Sequence, residues 1–171
     1  VRQAVRAGVN CCFCTSPVPL FRAVKNEAEQ DGFRRAMLED GVAMVQFLRW
    51  LDENVATGRV TEMEVDRRLT AFRAARPGFC SLSFATIAAY AAHGAIVHYE
   101  AEPSTDAVLE PRGLLLLDSG GQYECGTTDI TRTIALGPLT DEERRVYTLV
   151  LKGHIALSCC RFPDGTTGLQ L

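Results

Sequence analysis

Apolar residues recur at helical spacing from residue 26 onward. Phe33, Met37, Met44, Val45, Leu48 and Leu51 fall on one stripe, and Arg34, Arg35, Glu39, Asp40, Arg49 and Asp52 occupy much of the rest. Asn26, with Glu29 three residues on, spells a capping box. The pattern predicts a long amphipathic helix over about residues 27–54, ended by Gly58 and slightly weakened by Gly41. A second helix starts at Thr61, where Glu64 completes a capping box and Val60 with Val65 supplies a hydrophobic staple. It runs to about Ala75, where Pro77-Gly78 stops it.

The pattern then changes period. Residues 80–84 alternate, residues 95–99 (AIVHY) are short and β-like, and residues 114–118 and 129–136 are strand candidates around a glycine-rich centre. A third helix follows Pro138, with Thr140 and Glu143 as its box and acids in its first turn, and runs to about Cys160. Before all this, residues 1–21 lack a helical period. They read as the tail of a strand running into a stiff Ser16-Pro17-Val18-Pro19 connector. Segregated helices and antiparallel-looking strands joined by short turns argue an α+β fold.

Composition narrows the function classes. Of 171 residues, 47% are apolar and 23% charged, ordinary globular values that exclude disorder or a coiled coil as the whole answer. A formal charge of −3 without a Lys/Arg block argues against nucleic-acid or anionic-membrane binding. The longest aliphatic run, Leu114–Leu117, is far below the ~20 residues of a membrane span. The seven cysteines are an odd number, and the sequence has no signal peptide, which suits reduced thiols in a cytoplasmic protein. Cys11-Cys12-x-Cys14 lacks the second Cys pair a zinc site needs and reads as small apolar filler.

Chemistry concentrates in residues 114–133, LLLLDSGGQYECGTTDITRT. Asp118 ends one apolar strand and Asp129 begins the next, with Gly120, Gly121 and Gly126 between them. A turn centred on Tyr123-Glu124 would set Asp118 directly opposite Asp129, with Cβ atoms ~5 Å apart. Like charges there repel, and a divalent cation would compensate. Carboxylates are hard ligands suited to Mn²⁺, Mg²⁺ or Ca²⁺ and acceptable to Zn²⁺ or Co²⁺. A plainer reading stands beside this one. Asp before Ser-Gly-Gly makes an ordinary Asx turn, Asp129 simply faces water, and a bulge among the glycines shifts the register.

This segment closely resembles the first metal-ligand hairpin of the Xaa-Pro aminopeptidases, members of the wider group of pita-bread metallopeptidases. AVKNEAEQDGFRRA resembles the opening helix of their catalytic domain, and LSFATIAAYAAHGAIVHY the stretch leading into a functional His-Tyr. YTLVLKGHIALS and FPDGTTG resemble the helix and turn that follow. The likeness spans about residues 20–171 and implies the N-terminal part of a catalytic domain over 22–171, with 1–21 the end of a preceding domain and its linker.

Carried over residue by residue, the resemblance implies that Asp118 chelates one metal of a dinuclear site and Asp129 bridges both. His98 then lies near the metals and assists substrate binding or proton shuttling. The implied cofactors are two divalent ions, Mn²⁺ first, with Zn²⁺ or Co²⁺ acceptable. The implied reaction releases the N-terminal residue of a peptide whose second residue is proline, through a metal-bridging hydroxide. A homodimer is implied too, the family being commonly dimeric. The family's remaining ligands, a histidine and two glutamates, lie downstream of this hairpin, and Leu171 precedes them, so these residues alone are expected to be inactive. His154 sits on a helix whose counterpart carries no metal, and His93 reads as a loop or surface residue. Trp50 reads as core or interface, and Arg132 as a carboxylate anchor or an ion-pair partner within the sheet. Two other functions share the hairpin or the fold: a prolidase-type dipeptidase, and a pita-bread binding module without catalysis.

Overall fold

The computed structural model describes residues 6–7 and 14–171. The strand-tail reading of the first residues and the Cys11-Cys12 pair fall largely outside them. The first described element corrects the stiff-connector reading. Helix α1, Val18–Ala23, begins right after its N-cap Pro17 and carries Pro19 in its first turn, where a proline's missing N–H would go unpaired anyway.

Helix α2, Glu27–Asn54, has the expected bounds. Asn26 Oδ1 accepts the Glu29 N–H at 2.9 Å, and Glu29 Oε2 accepts the Asn26 N–H at 2.8 Å. Its buried face differs from the expected stripe: it runs through Gly32, Ala36, Asp40, Ala43, Met44, Phe47 and Leu51, while Met37 and Val45 are exposed. Small residues win this face because backbone must pass close to it. Gly126 approaches so tightly that an added Cβ would meet the Phe33 Cα at 3.2 Å and the Ala36 Cβ at 3.3 Å.

Helix α3, Glu62–Ala74, starts at Thr61, whose hydroxyl accepts the Glu64 N–H at 3.2 Å. The return half of the expected box is missing. The Glu64 carboxylate instead turns to Arg67 and Arg68, with contacts of 2.6–2.7 Å.

Among the described residues, six strands form two antiparallel sheets. They are β1 (Phe79–Leu82), β2 (Ile87–Tyr90), β3 (Leu114–Ser119), β4 (Gly121–Tyr123), β5 (Gly126–Thr127) and β6 (Ile130–Ala135). The sheet orders are β2-β3-β6 and β1-β4-β5. One long hairpin therefore belongs to both sheets, its arms β3 and β6 to the first and its tip β4 and β5 to the second. The expected strand over residues 95–99 does not form. A 3-10 turn, Ala91–Ala95, precedes it, His98 adopts φ +56°, and Ile96 and Val97 are exposed. The ladder position goes to β2, whose small Ala88 packs in the core beneath the helices.

The core joins α2 and α3 to the inner face of the first sheet through Phe47, Leu51, Val65, Leu69, Leu109, Leu115 and Leu117. Each fully buried leucine contributes about 1.5–3 kcal/mol through its apolar surface. Along β3, Leu115, Leu117 and Ser119 face this core, and Leu114, Leu116 and Asp118 face the other way. Helix α4, Asp141–Ser158, carries the Thr140–Glu143 box at 2.7 and 3.2 Å and has no buried residue. Among the described residues, no helix is long and apolar enough to cross a membrane.

Candidate metal centre

The hairpin bends at its middle, and both aspartates flank the bend. β3 pairs with β6 from Leu114↔Ala135 to Ser119↔Ile130, and β4 with β5 at Gln122↔Thr127 and Tyr123↔Gly126. The two pairings keep one register across the break. Its turn lies at Glu124-Cys125, one residue later than the sequence suggested. Asp118 consequently faces Thr131 rather than Asp129. Asp129 is two residues before Thr131, so strand alternation returns it to the face of Asp118 as a diagonal neighbour. Such neighbours have Cα atoms about 7–8 Å apart, which relaxes the direct repulsion and leaves room for cations between the carboxylates.

That face is open. Asp118 is half-buried and accepts the Thr131 hydroxyl on Oδ1 at 2.8 Å, and Asp129 is exposed. Two hard anionic ligands side by side fit a divalent cation. They make only part of a coordination shell: among the described residues, no group of three His, Cys, Asp or Glu side chains is placed to hold a metal.

The opposite face of the bend is closed and polar. Ser119 and Thr128, the neighbours of the two aspartates, are buried. The Thr128 hydroxyl donates to Asp40 Oδ2 at 2.7 Å and accepts the Gly121 N–H at 2.8 Å. Ser119 Oγ accepts from Arg73 Nη2 at 3.1 Å. Asp40 and Arg73 form a fully buried ion pair, Nε to Oδ1 at 2.6 Å and Nη2 to Oδ2 at 3.2 Å. The Tyr123 hydroxyl adds a donor to Asp40 Oδ1 at 3.1 Å. Burial first, and the Asp40 charge second, push the Tyr123 phenol well above its ordinary range. Gly120 lets the arms approach here, since a Cβ on it would overlap the Thr128 carbonyl and the Ser83 hydroxyl.

His98 lies on the loop between β2 and β3 and is exposed. Its side chain makes no hydrogen bond to either aspartate among the described residues. The next residue, Tyr99, is buried and donates its hydroxyl to Glu62 at 2.8 Å. Burial, reinforced by Glu62, raises the Tyr99 phenol above its ordinary range, although the Thr105 hydrogen bond pulls the other way. Glu62 is itself fully buried and accepts the N–H groups of Tyr90 at 2.7 Å and Ala107 at 3.1 Å. His93 lies on the same β2–β3 loop, as expected, but is half-buried. Its Nδ1 meets Glu62 at 2.9 Å and its ring stacks on Tyr99 with centroids 4.5 Å apart.

The buried polar groups Asp40, Glu62 and Arg73 escaped the sequence reading. Asp40 had a signal: it sits four residues from both Ala36 and Met44, in line with apolar positions of α2. Of the smaller expectations, Trp50 packs on the core beside Phe47 at 5.9 Å, under Arg68 at 5.2 Å. Arg132 bonds the Thr131 carbonyl at 2.7 Å. Cys14, Cys80, Cys125, Cys159 and Cys160 are free thiols.

Comparison with known proteins gives consistent matches. Residues 31–171 match the model of metallopeptidase family M24. A probable Xaa-Pro aminopeptidase P of Fusarium vanettenii is 44% identical over 158 residues, 91% of this chain and 26% of that protein. Aminopeptidase P2 of Arabidopsis thaliana is 43% identical over 160 residues, 93% of this chain and 22% of that protein. Among solved structures, the X-prolyl aminopeptidase of Caenorhabditis elegans, described as a cytosolic enzyme with a di-nuclear active site, superposes with a TM-score of 0.82. It is 39% identical, over 90% of this chain and 25% of that one. The chain thus spans about a quarter of the length of the curated relatives it matches.

Proposed function

The chain belongs to metallopeptidase family M24 and has the pita-bread fold, and from that premise we propose that it forms the N-terminal part of the catalytic domain of an Xaa-Pro aminopeptidase. Residues 22–171 would belong to that domain, and residues 1–21 to the end of a preceding domain and its linker. The whole protein would release the N-terminal residue from peptides with proline in the second position. The observation that carries this reading is the pair Asp118 and Asp129 on the open face of one bent hairpin, in a chain 44% identical to a probable Xaa-Pro aminopeptidase P.

Asp118 would hold one of two divalent ions and Asp129 would lie between both, with Mn²⁺ the first expectation. When bound, such ions supply Lewis acidity toward a water and a scissile carbonyl. The chain's own contribution is to keep both carboxylates aimed at one face. Thr131 holds one Asp118 oxygen, and strand alternation keeps the other side of the bend dry. His98 would meet the substrate from the neighbouring loop, donating or accepting a proton at its ring nitrogens. That loop is tethered behind His98 by Tyr99 on Glu62. Partial coordination by two carboxylates accords with a centre completed by other parts of the protein. The proposed setting is cytoplasmic and the proposed assembly a homodimer.

The test uses the complete protein, supplied with Mn²⁺, on an Xaa-Pro-Xaa tripeptide and an Xaa-Pro dipeptide. The tripeptide is expected to lose its first residue, and Asp118→Asn or Asp129→Asn to lower kcat by at least about 100-fold. Activity on the dipeptide alone would replace this reading with a prolidase. Absence of saturable Mn²⁺ uptake would replace it with a non-catalytic binding module.

A further inference from the structure

Resting on the metal-centre reading, we propose that the buried Asp40–Arg73 ion pair is a positioning device for the two aspartates, acting through Ser119 and Thr128. The pair spans three segments. Asp40 comes from α2 and Arg73 from α3, and both reach the hairpin on the face opposite the carboxylates. Arg73 Nη2 fixes Ser119 on the outgoing arm at 3.1 Å. Asp40 Oδ2 fixes Thr128 on the return arm at 2.7 Å. Tyr123, beyond the bend, is held on Asp40 Oδ1 at 3.1 Å.

Chain alternation converts these anchors into aim. Ser119 adjoins Asp118 and Thr128 adjoins Asp129, so turning either anchor inward turns its neighbour outward. The bend needs such help, because between the paired stretches of the arms the Thr128 N–H to the Gly121 carbonyl, at 2.8 Å, is the backbone bond the hairpin keeps. The Thr128 hydroxyl supplies the return bond that a full ladder would have, accepting the Gly121 N–H at 2.8 Å. A buried ion pair is weak evidence for stability, since well-packed apolar residues commonly serve as well, and a specific register is its better-attested use. Here the register in question is the spacing of two metal ligands.

Thr128→Val tests this, because it deletes the hydroxyl at constant shape and leaves the ion pair and both aspartates in place. Ser119→Ala is the companion change, and Thr128→Ser the conservative control. In the complete protein, Mn²⁺ is titrated calorimetrically, Mn²⁺ electron paramagnetic resonance is recorded, and kcat and KM are measured on an Xaa-Pro-Xaa tripeptide. Thr128→Val is expected to weaken uptake of the second Mn²⁺ by about 10- to 100-fold. The exchange-coupled signal should give way to that of isolated Mn²⁺, and kcat should fall while KM stays near its original value. Thr128→Ser should restore affinity and coupling. The positioning role is overturned if Thr128→Val and Ser119→Ala take up both ions with unchanged affinity and coupling and only melt at a lower temperature. If the unaltered protein takes up no Mn²⁺, the metal-centre reading fails first and this inference falls with it.

Discussion

Two glycines on α2 predict opposite effects of one substitution. Gly41 faces open space, with no atom within 4 Å of an added Cβ. Gly41→Ala therefore gains the helix propensity alone, about 0.8–1 kcal/mol. Gly32 lies on the same helix, but its Cβ would come inside 3.0 Å of the Cys125 carbonyl oxygen, with the carbonyl carbon at 3.3 Å. The same propensity gain is available there. Against it stands backbone at a hairpin turn, which has to retreat by about 1 Å to restore ordinary contact. Overpacking of this kind costs about 1–3 kcal/mol, and the Gly126–Ala36 contact one turn away leaves little room to yield. The net expectation for Gly32→Ala is a loss of up to about 2 kcal/mol. Native-state hydrogen exchange at α2 amides reads local opening directly and does not require the protein to unfold in two states. Protection should rise in Gly41→Ala and fall in Gly32→Ala. If Gly32→Ala is protected as well as the parent, α2 and the hairpin tip are not in backbone contact, and the account of the small-residue face is wrong.

Two further predictions concern buried acids and phenols. Glu62→Gln leaves one carbonyl oxygen where a carboxylate served Tyr90, Ala107, Tyr99 and His93, so at least one buried donor loses its partner at a cost of about 1–3 kcal/mol. Faster exchange of the Tyr90 and Ala107 amides is the expected reading, and unchanged rates would contradict it. The Tyr99 and Tyr123 phenols are both raised in the folded state. The unfolded chain therefore loses these protons first as pH climbs past the ordinary tyrosine value of about 10. Stability from these groups is intact below that pH and declines above it, because the unfolded state then binds fewer protons than the folded one. Tyr123→Phe should flatten this alkaline decline in a pH series of urea melts, and an equally steep decline would remove Tyr123 as its source.

What the sequence disclosed followed from local chemistry. Asn26 and Glu29 fix the start of α2 because a capping box needs only neighbouring residues. The β3 arm shows as an apolar run and the β6 arm as a stretch rich in β-branched residues. Register is different, because it depends on where the turn closes. Moving that closure from Tyr123-Glu124 to Glu124-Cys125 exchanges Asp129 for Thr131 opposite Asp118. Residues 95–99 look like a strand by composition, yet the positive φ at His98 and the Glu62 tether on Tyr99 are tertiary facts. Asp40 reads as one of the charges on α2 and Arg73 does not stand out at all, because nothing nearby in sequence reveals that each is the other's partner across 33 residues. The two aspartates were legible as a pair. What holds them in place was not.

The two-sheet hairpin also has a kinetic consequence. Its arms pair locally, and hairpins of this kind close within about 1–10 μs. The Asp40–Thr128 hydrogen bond closes 88 residues of chain and the Arg73–Ser119 bond 46, which are slow, non-local events. The hairpin is thus expected to zip before its bend is set, so the carboxylates share a face early but acquire their final spacing only when α2 and α3 dock. In pulse-labelled exchange during refolding, the β3 amides should be protected ahead of the Gly121 amide. Simultaneous protection would mean that the two helices and the hairpin assemble in one step.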